Sequence, residues 1–452
     1  MKYVSALLLS FLFFAVSCSK KDEPSTTPVK DVFNDSAFAN VPDLQDMTIY
    51  EVNLQVFSTS GDLNGATQRL DSVKNLGINV IWLMPIYPIG YTKAVGSPYC
   101  VNDYTSVNPA FGTLNDLREF VRAAHKKDMA VILDWVADHT SWDNPWINDP
   151  SWYRQDGNGN IVSPSGTNWT DVAQLNYSNT SMRLEMIKSM KFWISQSNID
   201  GFRFDAADFV PDDFWKQAID SLHAMQGRKL ILLAEGGKSA DFSDGFQMNY
   251  AWDFATTLKT VFQGDKAGNI FVTDSLEYLS VPTGSQKLRY ITNHDMYFNS
   301  PPTIDYNSAK GSLTAFVIMS FLRGVPLIYD GQELAYPGKI SYFQDGSSTP
   351  ITWTLDPDIY QGYKKAMSIR SSLTSVREGT ITHYPDDNVA VFKHTGQQEE
   401  SLVIANVRDA SINFSVPASL VNTTWTNTKD NSTLTFTSQL SLAPYEYLIL
   451  KK

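Results

Sequence analysis

Only two of the 452 residues are cysteine, at positions 18 and 100, so no disulfide framework holds this chain together. Basic residues are the minority as well. Thirty-six Lys and Arg face 48 Asp and Glu, a net charge of −12 that disfavours nucleic acid or an anionic membrane surface as a partner. The longest apolar run at the N-terminus, Val4–Val16, is too short to span a bilayer. Internal repeats are absent, and low-complexity sequence is confined to a short stretch near the N-terminus. What remains is a long, aromatic-rich chain with 11 Trp, 21 Tyr and 25 Phe. That length holds a barrel of about 250 residues with accessory domains to spare.

Short apolar segments recur along it: Met47–Leu54, Gly77–Leu83, Met129–Asp134, Ile199–Asp205, Leu230–Glu235, Gly245–Tyr250, Leu288–Asp295 and Val325–Gly331. Most lack polar alternation, as strands buried on both faces do. Helix-period stretches lie between many of them, including Leu114–Lys127, Ser181–Ser197, Phe214–Gln226 and Ser308–Leu322. A βα unit of roughly 30 residues repeated eight times predicts a (β/α)8 TIM barrel.

Three acids keep time with this repeat. Asp205 to Glu235 is one step and Glu235 to Asp295 is two, which predicts all three at the C-terminal ends of strands, where barrel enzymes place their chemistry. Arg203 stands two residues before Asp205, on the same face if the segment is a strand. Alone, an Arg-x-Asp pair is a structural ion pair. Beside acids in phase with the barrel, it predicts a carboxylate held ionised by a permanent cation, as a carboxylate nucleophile requires.

The residues around these acids resemble the α-amylase superfamily, glycoside hydrolase family 13. Asp134-Trp135-Val136-Ala137-Asp138-His139 is similar to its strand-three motif, Gly201-Phe202-Arg203-Phe204-Asp205-Ala206-Ala207 to strand four, Ala234-Glu235 to strand five, Thr292-Asn293-His294-Asp295 to strand seven, and Gly324–Glu333 to strand eight. Ser97-Pro98-Tyr99 and Gln174-Leu175-Asn176 are supporting matches, and the resemblance spans about residues 45–450. It implies a retaining α-glucoside hydrolase, first of all an α-amylase acting on α-1,4-glucan. Asp205 would be the nucleophile, Glu235 the acid and base, and Asp295 the third acid. His139 and His294 would bond sugar hydroxyls, Tyr99 would stack on the sugar, Arg203 would hold Asp205, and Asp134 belongs to the structural motif. The resemblance leaves two alternatives: an exo-acting glucosidase, maltogenic enzyme or transglycosylase of the same family, and a barrel that binds glucan without cleaving it.

This chain departs from the family pattern in three places. Asp208-Phe209 replaces a common Lys-His on the leaving-group side, and Gly236-Gly237 follows the glutamate where a bulkier residue is common. Asp138 replaces an asparagine that often binds calcium. An aspartate oxygen can ligate calcium too, with Asp171 and Asn176 as further donors, against the plainer reading of solvated loop acids. No other cofactor is expected. Trp135, Trp142, Trp146, Trp152 and Trp169 crowd the segment after strand three, some as cleft lining and some as core.

The N-terminus reads as a signal peptide, residues 1–17. Ala15-Val16-Ser17-Cys18 resembles a bacterial lipobox, which implies a lipid anchor on Cys18 and leaves Cys100 unpaired and buried. A polar tether follows over 18–45, and its Lys20-Lys21-Asp22-Glu23 resembles export signals of surface lipoproteins. The expected address is the outer membrane, on the cell surface or facing the periplasm. The barrel is expected over 46–139 and 180–375, with an inserted domain B over 140–179. Short strands at Val389–His394, Leu402–Val407, Ile412–Val416, Thr433–Thr437 and Tyr445–Leu450 predict a C-terminal antiparallel β-sandwich, domain C, over 376–452.

Overall fold

A computed structural model describes residues 35–225 and 227–452. The signal segment, the tether and Cys18 lie outside the described residues. Eight parallel strands close into a barrel: β1 Ile49–Val52, β2 Val80–Leu83, β3 Ala130–Val136, β4 Gly201–Asp205, β5 Ile231–Ala234, β6 Met248–Tyr250, β7 Gln286–Arg289 and β8 Val325–Tyr329. Side-chain alternation sorts the two surfaces of this wall. Ile49, Val80, Ile132, Ile231, Leu233, Met248, Leu288 and Leu327 fill the interior together with Trp82 and Tyr250. Their neighbours Tyr50, Ile81, Leu133, Phe202, Phe204, Leu232 and Ile328 pack beneath the surrounding helices. Both faces are therefore dry, which is why the segments read as unbroken apolar runs.

The helices begin where the chain supplies caps. Thr113 and Asp116 form a reciprocal capping box at the start of Leu114–His125, and Asn179 caps Thr180–Ser197 through the Met182 amide. One strand sits earlier than expected. β7 ends at Arg289, and Asn293 instead caps the helix His294–Asn299 by accepting from the Met296 amide. Asp295 is thus in the first turn of a helix and not at a strand end, because the Asn side chain offers the backbone a helical start.

Within Thr140–Asn179 the chain is irregular. His139–Ser141 pairs antiparallel with Val172–Gln174, and two 3-10 turns, Pro145–Asn148 and Pro150–Trp152, bring Trp146 against Trp152. After the helix Pro357–Ser372 come β9 Thr380–Tyr384, β10 Val389–Thr395, β11 Glu400–Asn406, β12 Ile412–Ser415, β13 Thr424–Asn427, β14 Thr433–Thr435, β15 Gln439–Leu442 and β16 Tyr447–Lys451. They build a six-stranded sheet, β9-β10-β11-β16-β13-β14, faced by the pair β12-β15. One face of the large sheet packs Val391, Ile404 and Leu450 against Phe414 and Leu442. The other contributes Phe392, Val403 and Ile449 to the core that includes the barrel helix Ala309–Phe321. Among the described residues no helix is long and apolar enough to cross a membrane.

Candidate active site

The inward alternation of β3 and β4 brings Asp134 and Arg203 side by side at the mouth of the barrel, and β4 ends on Asp205. Arg203 is fully buried and its guanidinium is shared by three carboxylates. Nη1 donates to Asp134 Oδ1 at 2.7 Å and to Asp205 Oδ1 at 2.9 Å, while Nη2 lies 2.7 Å from Glu235 Oε1. Nε donates to Tyr250 Oη at 3.2 Å, and Trp82 lies 5.0 Å beneath the guanidinium carbon. The Ala206 amide donates to Glu235 Oε2 at 2.7 Å. Asp205 and Glu235 thus face one pocket from adjacent strands, each with a side chain 13% exposed. Bridging by one guanidinium suits the short separation of retaining carboxylate pairs, about 5–5.5 Å, better than the wider inverting one.

This sharing corrects the expected electrostatics. Burial raises the Asp205 carboxyl and Asp134 adds to it; the lowering by Arg203 is the smaller effect, so Asp205 lies above its ordinary range and not below it. One cation divided among three acids in a dry pocket cannot hold each of them ionised. Burial likewise brings Glu235 to about 7, with Asp205 and Asp295 adding to the rise against Arg203. Asp134 reaches about 6 for the same leading reason. Glu235 therefore holds its proton to about neutral pH.

The strand-seven residues close the pocket from the other side. Burial opposes the charged form of His294, yet Asp295 and Glu51 outweigh it and carry the imidazole to about 9. Its Nδ1 bonds Glu51 Oε1 at 2.5 Å, and its Nε2 bonds Tyr99 Oη at 2.8 Å. Tyr99 in turn donates to Asp134 Oδ2 at 3.3 Å, which links Glu51, His294, Tyr99 and Asp134 into one chain of hydrogen bonds. Asp295 is the most open of the three acids, with its side chain 45% exposed, and Tyr342 donates to its Oδ1 at 3.2 Å. His139 is buried, its Nδ1 3.4 Å from Asp138 Oδ2 and its ring 5.6 Å from Trp169. All seven expected catalytic and sugar-binding residues, with Asp134, therefore line or support one pocket.

Two contributors escape a reading of the chain alone. Glu51 is a carboxylate inside an otherwise apolar strand, a signal that the segment carried. Tyr342 is one of 21 tyrosines and has no such mark. Of the clustered tryptophans, Trp135 is core, packed against Tyr87, Tyr104 and Phe202, and Trp146 packs on Tyr104. Trp169 is the one that reaches the site, 5.5 Å from Phe209.

The sequence departures have local reasons. A Cβ on Gly236 would stand 2.7 Å from Asp208 Oδ1 and 2.9 Å from Asp241 Oδ2, so the glycine admits these two acids behind Glu235. Gly237 then donates its amide to Asp208 Oδ2 at 3.1 Å. The lysine missing from position 208 has a counterpart on the next loop, where Lys238 Nζ donates to the Asp208 carbonyl at 2.7 Å.

The residues that could contribute to a calcium site are bonded within the protein. Asp138 offers its carboxylate to His139 and to Gln174 Nε2 at 3.4 Å, and Asn176 donates to the Ser151 carbonyl while accepting from Ser178. Among the described residues no three His, Cys, Asp or Glu side chains group closely enough to hold a metal ion. Asp138 and Asn176 thus spend side-chain oxygens on donors within the protein, as the plainer reading of bonded loop residues has it. Cys100 is buried, as expected, with Sγ donating to the Asp171 carbonyl.

A closed barrel with paired carboxylates on a buried guanidinium defines a glycoside hydrolase. The model of the family described as Alpha amylase, catalytic domain, matches residues 29–157 and 167–354, and the chain belongs to that family. Alpha-amylase 3 of Dictyoglomus thermophilum is 28% identical over 443 residues, covering 81% of this chain and 86% of the relative. Alpha-amylase MalA of Haloarcula japonica is 24% identical over 394 residues, with 83% of this chain and 57% of the relative covered. The fold matches the crystal structure of the noncanonic maltogenic alpha-amylase AmyB from Thermotoga neapolitana. The TM-score is 0.78 at 24% identity, over 91% of this chain and 99% of that one.

Proposed function

We propose that this protein is a retaining α-glucoside hydrolase, an α-amylase that cleaves α-1,4-glucan in starch and maltooligosaccharides. One observation carries the reading: a single buried guanidinium holds Asp205 and Glu235 on the same pocket. In the first step Asp205 Oδ attacks the anomeric carbon while Glu235 gives its proton to the departing glycosidic oxygen. The Ala206 amide holds Glu235 Oε2 and the guanidinium lies against Oε1, which fixes the carboxyl in place beside Asp205. In the second step Glu235, now a carboxylate, takes a proton from water as that water displaces Asp205 from the sugar. Asp295, the most open of the three acids, presents an acceptor to hydroxyls of the same sugar, while His294 holds Tyr99, whose ring stacks on it. Two inversions at one carbon keep the α configuration. Proton NMR of maltooligosaccharide hydrolysis is therefore expected to record α-anomeric product first and the β form only as mutarotation proceeds. A β-anomer appearing first would overturn the double displacement.

The same reading places the enzyme outside the cytoplasm, anchored by lipid on Cys18, with the acidic tether carrying it to the outer membrane and the cell surface. The lipobox-like Ala15–Cys18 and the Lys20–Glu23 run support this. Metabolic labelling with a fatty acid should mark the wild-type protein and not Cys18→Ser. Equal labelling of both would exclude that anchor.

A further inference from the structure

The loop after β8 touches the pocket and is tied down on both sides. Tyr342 bonds Asp295, and its ring stands edge-on to Tyr99 at 6.1 Å and to His294 at 5.3 Å. Phe343 stacks on it at 4.8 Å, and Phe298 packs against both. The loop is fastened to the segment after β1, where Asn53 Nδ2 donates to the Ser341 carbonyl at 3.1 Å and Gln55 Nε2 to the Tyr342 carbonyl at 2.9 Å. It is fastened again to the loop after β2, which carries Tyr99. There the Gln344 amide donates to the Gly96 carbonyl at 2.6 Å, and Asn108 Nδ2 donates to Gln344 Oε1 at 3.0 Å. Gly96 has a φ of +83°, and a Cβ on it would press to 3.3 Å from the Gln344 backbone, so glycine permits the approach. The segments following β8, β1 and β2 thus make one continuous rim.

The direction of a bound glucan follows from sugar chemistry. In an α-1,4-glucan, C1 and O4 lie at opposite ends of each ring. With C1 between Asp205 and Glu235, the leaving group lies on the β5 side, where Lys238 and the exposed Phe209 and Trp252 stand. O4 of the same sugar then points away from β5, toward Tyr99, Tyr342 and the fastened rim. Resting on the hydrolase reading above, we propose that this rim is a wall ending the glycone side of the cleft. The enzyme then works from the non-reducing ends of α-1,4-glucans and releases short products, because a chain continuing beyond the wall would have to pass through fixed backbone.

Maltoheptaose carrying a reducing-end reporter, with its non-reducing end either free or capped by a 4,6-O-acetal, tests this. The capped substrate is expected to be cut at least about 20-fold more slowly, since the cap meets atoms that cannot give way. Replacing Tyr342-Phe343-Gln344 by three glycines is expected to narrow that ratio at least about fivefold, whatever it does to the overall rate. Equal cleavage of the two substrates by the wild type would overturn the wall and leave the hydrolase reading standing. A ratio unchanged in the glycine variant would overturn the assignment to this loop. If neither substrate is cut, the hydrolase reading itself falls and the wall with it.

Discussion

Asp205→Asn is expected to lose at least about 10⁴-fold in turnover of maltooligosaccharides, roughly 5.4 kcal/mol of transition-state stabilisation. An amide has the shape of the carboxylate but neither its charge nor its nucleophilicity, so no covalent glycosyl-enzyme can form. The pocket should survive the change. Arg203 keeps Asp134 and Glu235 as partners, and removing one of three acids around a single cation relieves repulsion. A thermal midpoint at or above that of the wild type, together with collapsed kcat, is the expected pair of results. Trapping the wild type with a slow fluorinated glycosyl donor should add sugar mass to the peptide containing Asp205. Near-normal turnover by the variant, or the label on another peptide, would refute the assignment.

Glu235→Gln should divide substrates by leaving group. On a glucan the departing oxygen is a strong base that needs a proton, and a loss of about 10²–10⁴-fold is expected. An activated aryl α-glucoside leaves without that help, so its first step should be largely spared. The acidity of the site gives a second readout. The working form of Glu235 carries a proton that burial holds to about 7, so wild-type kcat/KM should fall as pH rises through that region. The working form of Asp205 is ionised, and burial raises its pKa. Activity should therefore fall at the acid end too, at a pH above the ordinary carboxylate range. In Glu235→Gln, assayed on the aryl substrate, the alkaline fall should vanish and the acid one remain. Equal loss on both kinds of substrate would count against Glu235 as the proton donor.

Much of this arrangement was legible in the chain because barrel strands are buried on both faces and so stand out as apolar runs. The domain C strands were less legible. Thr380–Tyr384, Thr424–Asn427 and Gln439–Leu442 carry no clear strand signal, since each is only partly buried and rich in Thr, Ser, Gln or Asn. The end of β7 is obscured in the sequence for a related reason. Tyr290 and Ile291 are fully buried after the strand has ended, so apolar character ran on past the hydrogen-bonded ladder.

Residue order alone therefore determined the eightfold βα rhythm, the β-sandwich after it, and the phase that delivers Asp205, Glu235 and Asp295 to one end of the barrel. Those features are periodic, and periodicity is a one-dimensional property. Folding in three dimensions decided how one guanidinium is divided among Asp134, Asp205 and Glu235, and which way the Asp205 carboxyl moves. It also decided that Glu51 grips His294 from two strands away and that Gln344 reaches Gly96. Each of these depends on distances between residues far apart in the chain and on how much water is excluded around them, and neither quantity is written in local order.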